Sequence, residues 1–227
     1  MVEIKPYYEE ENITIYNGDC LEVMKELPDK SIDLVLTDPP YNAKNIGPKC
    51  RKYSQGIMQL PEKEYKKFCK SWFSMAGKLS KNIVFTPGIA NTHNYPQPYW
   101  IICWHKPAAV SFNKFQGYNA WEPIFVYGKN TERIGQDYLK INTLNFKKGP
   151  EREHPCPKVP ELINWLVIHF SNEGDTILDP FLGSGTTARA CKDLGRKCIG
   201  IEISQKYCDI AVKRLGQEVM NFAEVNQ

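Results

Sequence analysis

Short apolar runs alternate with longer segments of helical periodicity along most of this chain. The apolar runs predict strands at residues 13–16, 33–37, 82–86, 99–104, 122–127, 176–178 and 197–201. The periodic segments predict helices at residues 20–27, 61–79, 159–170, 187–194 and 205–215. This alternation predicts an α/β fold with a doubly wound, mostly parallel sheet. A length of 227 residues fits a single domain over residues 1–227.

The most informative turn follows the second of these strands and reads Asp38-Pro39-Pro40-Tyr41. The prolines have fixed φ angles and no amide hydrogens, so the turn is stiff and presents carbonyl oxygens. Asp38 is a further acceptor, and two acceptors at a fixed spacing suit an exocyclic amino group with its two N–H donors. Tyr41 offers a flat ring on which a base can stack. Taken alone, the tetrapeptide also fits an ordinary turn, which is the less favoured of the two interpretations.

A glycine-rich turn follows a later strand and reads DPFLGSGTT at residues 179–187. A strand, a glycine turn and a helix open a nucleotide-binding βαβ unit, because glycines let the backbone approach a ligand closely. The next predicted strand ends at Glu202, about 20 residues further on, where such units place an acceptor for ribose hydroxyls. Gly185 is not followed by the lysine of a P-loop, which argues against a bound triphosphate.

Five segments together resemble the amino-group DNA methyltransferases that use S-adenosylmethionine. They are NGDC at 17–20, TDPPYN at 37–42, WEPIFVY at 121–127, HPCPKVP at 154–160, and residues 179–187 with Glu202. The similarity is weak only at residues 43–80 and 128–153. The catalytic turn precedes the cofactor turn, as in the circularly permuted β class of this family. The resemblance implies a Rossmann-like methyltransferase fold.

The resemblance also implies which residues form the site. The catalytic residues would be Asp38, Pro39, Pro40 and Tyr41. The cofactor-binding residues would be Asp19, His154, Lys158, Asp179, Phe181, Gly183, Ser184, Gly185, Thr186 and Glu202. Asp19 fits a helix cap equally well. Val159 separates Lys158 from the proline that directly follows lysine in the family motif, a departure that weakens the assignment of Lys158. No metal is implied.

The target base follows from the same resemblance. Asp-Pro-Pro-Tyr is more common in adenine N6 enzymes and Ser-Pro-Pro-Tyr in cytosine N4 enzymes, so adenine is favoured and cytosine stays open. Inside a duplex the amino group is paired, so the base must be flipped into the pocket. A non-catalytic nucleic-acid-binding relative is a third alternative, against which the intact Asp38, Tyr41, Gly183 and Glu202 argue.

Charge is distributed unevenly, although the net charge is only +3. Residues 1–41 carry three basic and ten acidic side chains, whereas residues 42–70 carry eight basic and two acidic ones. Directly after the catalytic turn, four cations are predicted to contact DNA phosphates and make binding salt-sensitive: Lys44, Lys49, Arg51 and Lys52. Residues 43–80 and 128–153 are candidate DNA-recognition segments inserted in the domain.

The remaining composition indicates an intracellular enzyme. The eight cysteines are scattered without a Cys-x-x-Cys pair or a His/Cys cluster, which favours reduced thiols and a cytoplasmic location. The first residues do not form a signal peptide, and no apolar stretch is long enough to span a membrane. Double-stranded DNA is the expected partner, while a homodimer and a cognate restriction enzyme of a restriction-modification system stay open.

Overall fold

The computed structural model describes residues 5–42, 57–58, 60–106, 120–128, 137–141 and 159–217. Its strands are β1 (Tyr8–Glu10), β2 (Ile13–Asn17), β3 (Leu34–Thr37), β4 (Tyr41–Asn42), β5 (Ile57–Met58), β6 (Ile83–Phe85), β7 (Trp100–His105), β8 (Trp121–Tyr127), β9 (Tyr138–Lys140), β10 (Thr176–Asp179) and β11 (Lys197–Glu202). Its helices are α1 (Cys20–Glu26), α2 (Glu62–Leu79), α3 (Pro160–Phe170), α4 (Thr186–Asp193) and α5 (Gln205–Leu215), with a 3₁₀ helix at Ile89–Asn94. Every strand and helix expected from the sequence is confirmed to within one residue at each end.

Nine strands form one sheet in the order β1-β2-β11-β10-β3-β6-β8-β7-β9. The five strands from β2 to β6 in this order are parallel to one another. The pairs β1–β2, β6–β8 and β7–β8 are antiparallel. The expected doubly wound, mostly parallel α/β sheet is therefore confirmed. Because the five central strands are parallel, the loops at their carboxyl ends share one edge of the sheet.

Helices cover both faces of the sheet. Leu34 and Leu36 of β3 belong to one core, together with apolar residues of α3, α4 and α5. Val35 points to the opposite core, which contains residues of α1 and α2. This alternation is the two-residue period of a strand that is buried on both faces. The result is a three-layer arrangement with the sheet in the middle.

Helix α2 lies inside one of the two candidate recognition segments, yet one of its faces is core. Trp72 is fully buried, and its ring meets Phe85 at 5.2 Å and Phe181 at 5.6 Å between centroids, both edge-on. The opposite face is exposed and basic: Lys63, Lys66, Lys67 and Lys70. One face of this candidate recognition segment is therefore part of the core, and its basic face is exposed.

The described cysteines are free thiols. Cys103 is partly buried, and the others are buried: Cys20, Cys69, Cys191, Cys198 and Cys208. Within the described ranges, no helix is both long and apolar enough to cross a membrane. The same ranges contain no cluster of His, Cys, Asp and Glu side chains suited to a metal ion. Glu122 has a structural contact, because it forms an ion pair with Lys106.

Candidate active site

The carboxyl ends of the central strands bring the two sequence motifs together. Asp38 follows β3 and Asp179 ends the neighbouring strand β10. From β10 the chain crosses to β11, whereas from β3 it crosses to β6 on the other side. Strand order thus reverses between the two aspartates, and open α/β sheets form their ligand crevice at such a reversal.

Asp179 is a buried carboxyl that contacts the end of β3. The Thr37 hydroxyl donates to its Oδ1 at 2.6 Å, and the Phe181 amide donates to the same oxygen at 3.1 Å. Burial raises the pKa of Asp179 to about 6, although hydrogen bonds from Thr187, Thr37 and Phe181 lower it and the charge of Asp38 raises it slightly. The charge of this group therefore changes at a higher pH than that of an ordinary aspartate, around pH 6.

Asp38 is held by two hydroxyl groups. The Thr86 hydroxyl donates to its Oδ1 at 2.5 Å, and the Tyr41 hydroxyl donates to the same oxygen. The Tyr65 hydroxyl donates to the Pro40 carbonyl at 3.1 Å and anchors the turn from α2. The structure thus gives Tyr41 a hydrogen-bonding role in addition to the ring surface expected from the sequence.

The residues on either side of the segment that follows the Asp38 turn contact each other. Strands β4 and β5 pair, and the Asn42 side chain both donates to the Leu60 carbonyl at 2.9 Å and accepts from the Leu60 amide at 3.0 Å. The segment therefore begins and ends beside the catalytic turn. The predicted DNA contacts Lys44, Lys49, Arg51 and Lys52 and the predicted cofactor contacts His154 and Lys158 lie outside the described residues.

Glu202 connects the glycine turn to the end of β11. The Gly183 amide donates to its Oε2 at 2.9 Å, and the Ser204 amide donates to its Oε1 at 2.8 Å. Gly183 has a φ of 55°, a conformation that favours glycine. Burial raises the pKa of Glu202, while hydrogen bonds from the backbone amides of Ser204, Gly183 and Ile203 act in the opposite direction. The backbone amides of the neighbouring turns therefore orient the Glu202 carboxylate at the carboxyl-terminal edge of the sheet.

The segment at residues 17–19 lies beside Glu202. Asn17 donates its side-chain amide to the carbonyls of Glu202 and Ile203 at 2.9 and 3.1 Å. The Asp19 side chain accepts from the Leu21 amide at 2.7 Å and caps α1, so the capping role is confirmed. Its contact with the cofactor stays a prediction.

Arg214 lies behind the glycine turn and contacts the hydroxyls of Ser184 and Thr186. The guanidinium lies 3.5 Å from the Ser184 hydroxyl and 3.3 Å from the Thr186 hydroxyl, and all three side chains are buried. Gly185, with a φ of 81°, lies against α5: an added Cβ would sit 2.7 Å from the Cβ of Ala211. These side-chain contacts support the turn, so the predicted cofactor contacts of Ser184 and Thr186 would come from their backbone.

Four contributors to the site were not expected from the sequence: Thr37, Tyr65, Thr86 and Arg214. Two of them carried a local signal, since Thr37 directly precedes the catalytic aspartate and Thr86 opens the Thr-Pro-Gly turn after β6. The other two lie on helices, and their roles depend on tertiary contacts made across more than 20 residues of sequence. Phe181 packs its ring on Trp72, so its cofactor contact also stays a prediction.

The fold is that of a Rossmann-like methyltransferase, with the Asp38-Pro39-Pro40-Tyr41 turn beside the glycine-rich turn. A family model described as DNA methylase (N6_N4_Mtase) matches residues 97–213, more than half of the chain. Type II methyltransferase M.HinfI of Haemophilus influenzae is 30% identical over 243 residues, which cover 89% of this chain and 68% of the relative. Type II methyltransferase M.ScaI of Streptomyces caespitosus is 29% identical over 270 residues, which cover 96% of this chain and 86% of the relative.

Solved structures agree on the fold. PvuII DNA methyltransferase (cytosine-N4-specific) superimposes with a TM-score of 0.74 at 20% identity, covering 95% of this chain and 90% of that one. A complex of M1.HpyAVI with SAM gives a TM-score of 0.66 at 26% identity, covering 90% of this chain and 100% of that one. The chain belongs to the N6/N4 DNA methylase family and is an amino-group DNA methyltransferase.

Proposed function

We propose that this DNA methyltransferase modifies the N6 amino group of adenine at a specific site in double-stranded DNA. The observation that supports the proposal best is the Asp38 carboxylate, which two hydroxyls orient one strand away from the cofactor-side carboxyl of Asp179. The methyl donor is S-adenosylmethionine. It carries its methyl group on a sulfonium, which activates that group for direct displacement.

The residues at the edge of β10 and β11 fit this donor. The Gly183 and Ser204 amides each donate to a different oxygen of Glu202, and a carboxylate offers about four acceptor positions, so it can also accept hydrogen bonds from a pair of ribose hydroxyls. Asp179 provides a carboxyl for the cofactor's amino group. Asp19 beside the adenine ring, Phe181 along the cofactor, and His154 and Lys158 at its methionine end complete the proposed site.

The proposed mechanism uses Asp38 and the Pro39 carbonyl as acceptors for the two N–H groups of a flipped base. These hydrogen bonds favour a tetrahedral nitrogen and so release a lone pair that is otherwise delocalised into the ring. Pro40 keeps the turn rigid, and the Tyr41 ring supports the base. Catalysis is then mainly positioning and electrostatic stabilisation.

Cofactor binding is expected to tighten as the pH rises through about 6. Only the ionised Asp179 attracts the cationic amino group, and burial raises the pKa of Asp179 to about 6. Below that pH a proton must leave before binding, so affinity should fall by up to about tenfold per pH unit. Calorimetric titration at pH 5, 6 and 7.5 measures this.

Two variants test whether the pH dependence of cofactor affinity comes from Asp179 or from another acidic residue. Asp179→Asn should flatten the pH profile, because its amide does not ionise. Asp175→Asn, at the opposite end of the same strand, should keep the parent profile. A parent affinity that is constant between pH 5 and 7.5 would contradict the assignment of Asp179.

DNA binding is expected to depend on salt through the basic segment. Replacing Lys44, Lys49, Arg51 and Lys52 together by Gln should flatten the plot of log affinity against log salt, by about one unit of slope for each phosphate that the variant no longer neutralises. The matched control is Gln at four exposed lysines outside both candidate recognition segments, Lys30, Lys81, Lys197 and Lys213, which should keep the parent slope. An unchanged slope in the first variant would place the phosphate-binding residues elsewhere.

Cytosine N4 is the second candidate, because the same two acceptors suit its amino group. The enzyme is incubated with labelled S-adenosylmethionine and unmethylated DNA, and the digested nucleosides are separated by chromatography. Label in N6-methyldeoxyadenosine supports the proposal, and label in N4-methyldeoxycytidine overturns the choice of base. A homodimer and a cognate restriction endonuclease both stay open.

A further inference from the structure

Thr86 connects the catalytic carboxylate to the strand beside it. The residue is buried at the end of β6 and has two separate contacts with the catalytic strand. Its amide donates to the Thr37 carbonyl at 3.3 Å, and its hydroxyl donates to Asp38 Oδ1 at 2.5 Å. Since its backbone is fixed by the first contact, its hydroxyl occupies a defined position for the second.

Gly88, two residues further on, lies against the ring of Tyr41. A Cβ at Gly88 would sit 3.0 Å and 3.2 Å from the ring atoms Cε1 and Cδ1, which is closer than ordinary van der Waals contact. Gly88 also has a φ of 69°, so a side chain there is strained as well as crowded. The Tyr41 hydroxyl reaches Asp38 and lies 3.4 Å from the Thr86 carbonyl.

We propose that Thr86 and Gly88 are positioning residues for methyl transfer. Thr86 sets the orientation of the Asp38 carboxylate, and Gly88 sets the place of the Tyr41 ring on which the base is supported. Both act through the catalytic turn, so the inference rests on the proposed function of Asp38. A carboxylate displaced by about 1 Å loses on the order of 100-fold in rate, which sets the scale of the expected effects.

The hydroxyl of Thr86 is tested by Thr86→Val, which keeps the shape and removes the donor. We expect the single-turnover rate of methyl transfer to fall by about 30-fold, while the dissociation constants for cofactor and DNA stay within about twofold. Thr86→Ser restores the donor and should recover most of the rate. Ser80→Ala is the matched control, because Ser80 is also a buried hydroxyl but lies before β6, away from the site.

Each outcome decides the role of Thr86. A parent rate in Thr86→Val overturns the proposal, and so does an equal loss in the Val and Ser variants, which would indicate packing. If Thr86→Val does not fold, Thr86→Ala removes the same donor without added bulk. Asp38→Ala is measured in parallel: if it stays active, the proposed catalytic turn fails, whereas an inactive Asp38→Ala with an unaffected Thr86→Val rejects only the positioning role.

The contact of Gly88 is tested by Gly88→Ala against Gly174→Ala. Both glycines have positive φ, but nothing lies within 4 Å of a Cβ at Gly174. We expect folded Gly88→Ala to lose about tenfold or more in single-turnover rate and Gly174→Ala to keep the parent rate. Equal rates in the two variants would show that the Tyr41 ring does not depend on Gly88.

Discussion

Replacing Asp38 by alanine is expected to lower the rate of methyl transfer by about 1000-fold while cofactor affinity stays within about twofold of the parent. The variant removes the proposed acceptor for the substrate amino group, whose hydrogen bond would favour a tetrahedral nitrogen. It leaves the Gly183–Glu202 contact and the position of Asp179 in place. Single-turnover transfer of labelled methyl groups and calorimetric cofactor binding measure the two quantities separately.

Two controls accompany this variant. Asp38→Asn keeps an oxygen for the Thr86 and Tyr41 hydroxyls, so it separates loss of the charge from loss of the local structure. Asp33→Ala removes a carboxylate at the opposite end of β3, where Asp33 accepts the Thr176 amide at 2.8 Å, and it should keep the parent rate. Parent activity in Asp38→Ala would show that another group orients the base.

Gly185→Ala is expected to destabilise the fold by about 3 kcal/mol. The new Cβ would lie 2.7 Å from the Ala211 Cβ and 2.8 Å from its Cα, which overpacks the contact between the glycine turn and α5. The φ of 81° adds strain for any residue with a side chain. For a chain of this size, the melting temperature should fall by roughly 10 °C.

Gly77→Ala is expected to change the free energy of unfolding in the opposite direction. Gly77 lies within α2 and has nothing within 4 Å of an added Cβ, so alanine should stabilise the fold by about 0.5–1 kcal/mol through its better helix propensity. Urea denaturation of both variants gives the free energies of unfolding. Parent stability in Gly185→Ala would mean that α5 shifts without cost, and that Gly185 is needed for the ligand alone.

The sequence predicted the long elements well because their signals are local. The strands β3 and β10 are apolar runs that are followed by Asp-Pro, and α2 begins after a proline and keeps its apolar period to its end. The strands that were missed have two or three residues each, such as β9 (Tyr138–Lys140), which exists through its pairing with β7. Segments this short carry no period of their own.

The site was predictable to the extent that its residues form motifs. Asp38 could be proposed because it lies in a proline turn directly after β3. Glu202 could be proposed because it ends β11 about 20 residues after the glycine turn. Their roles in the site stay predictions. Arg214 could not be proposed, since an arginine in the last turn of an amphipathic helix resembles an ordinary solvent-exposed residue. Only the approach of α5 to the glycine turn buries it against Ser184 and Thr186.

The most direct test is to express the enzyme in a host that lacks DNA methylation and to map modified bases across the host genome by the kinetics of single-molecule sequencing. We expect N6-methyladenine at one short sequence, modified at nearly every occurrence, and no modification in cells that express Asp38→Ala. N4-methylcytosine at a fixed sequence would contradict the assigned base. With the purified enzyme shown to bind S-adenosylmethionine, an unmodified genome would contradict site-specific DNA methylation by this chain.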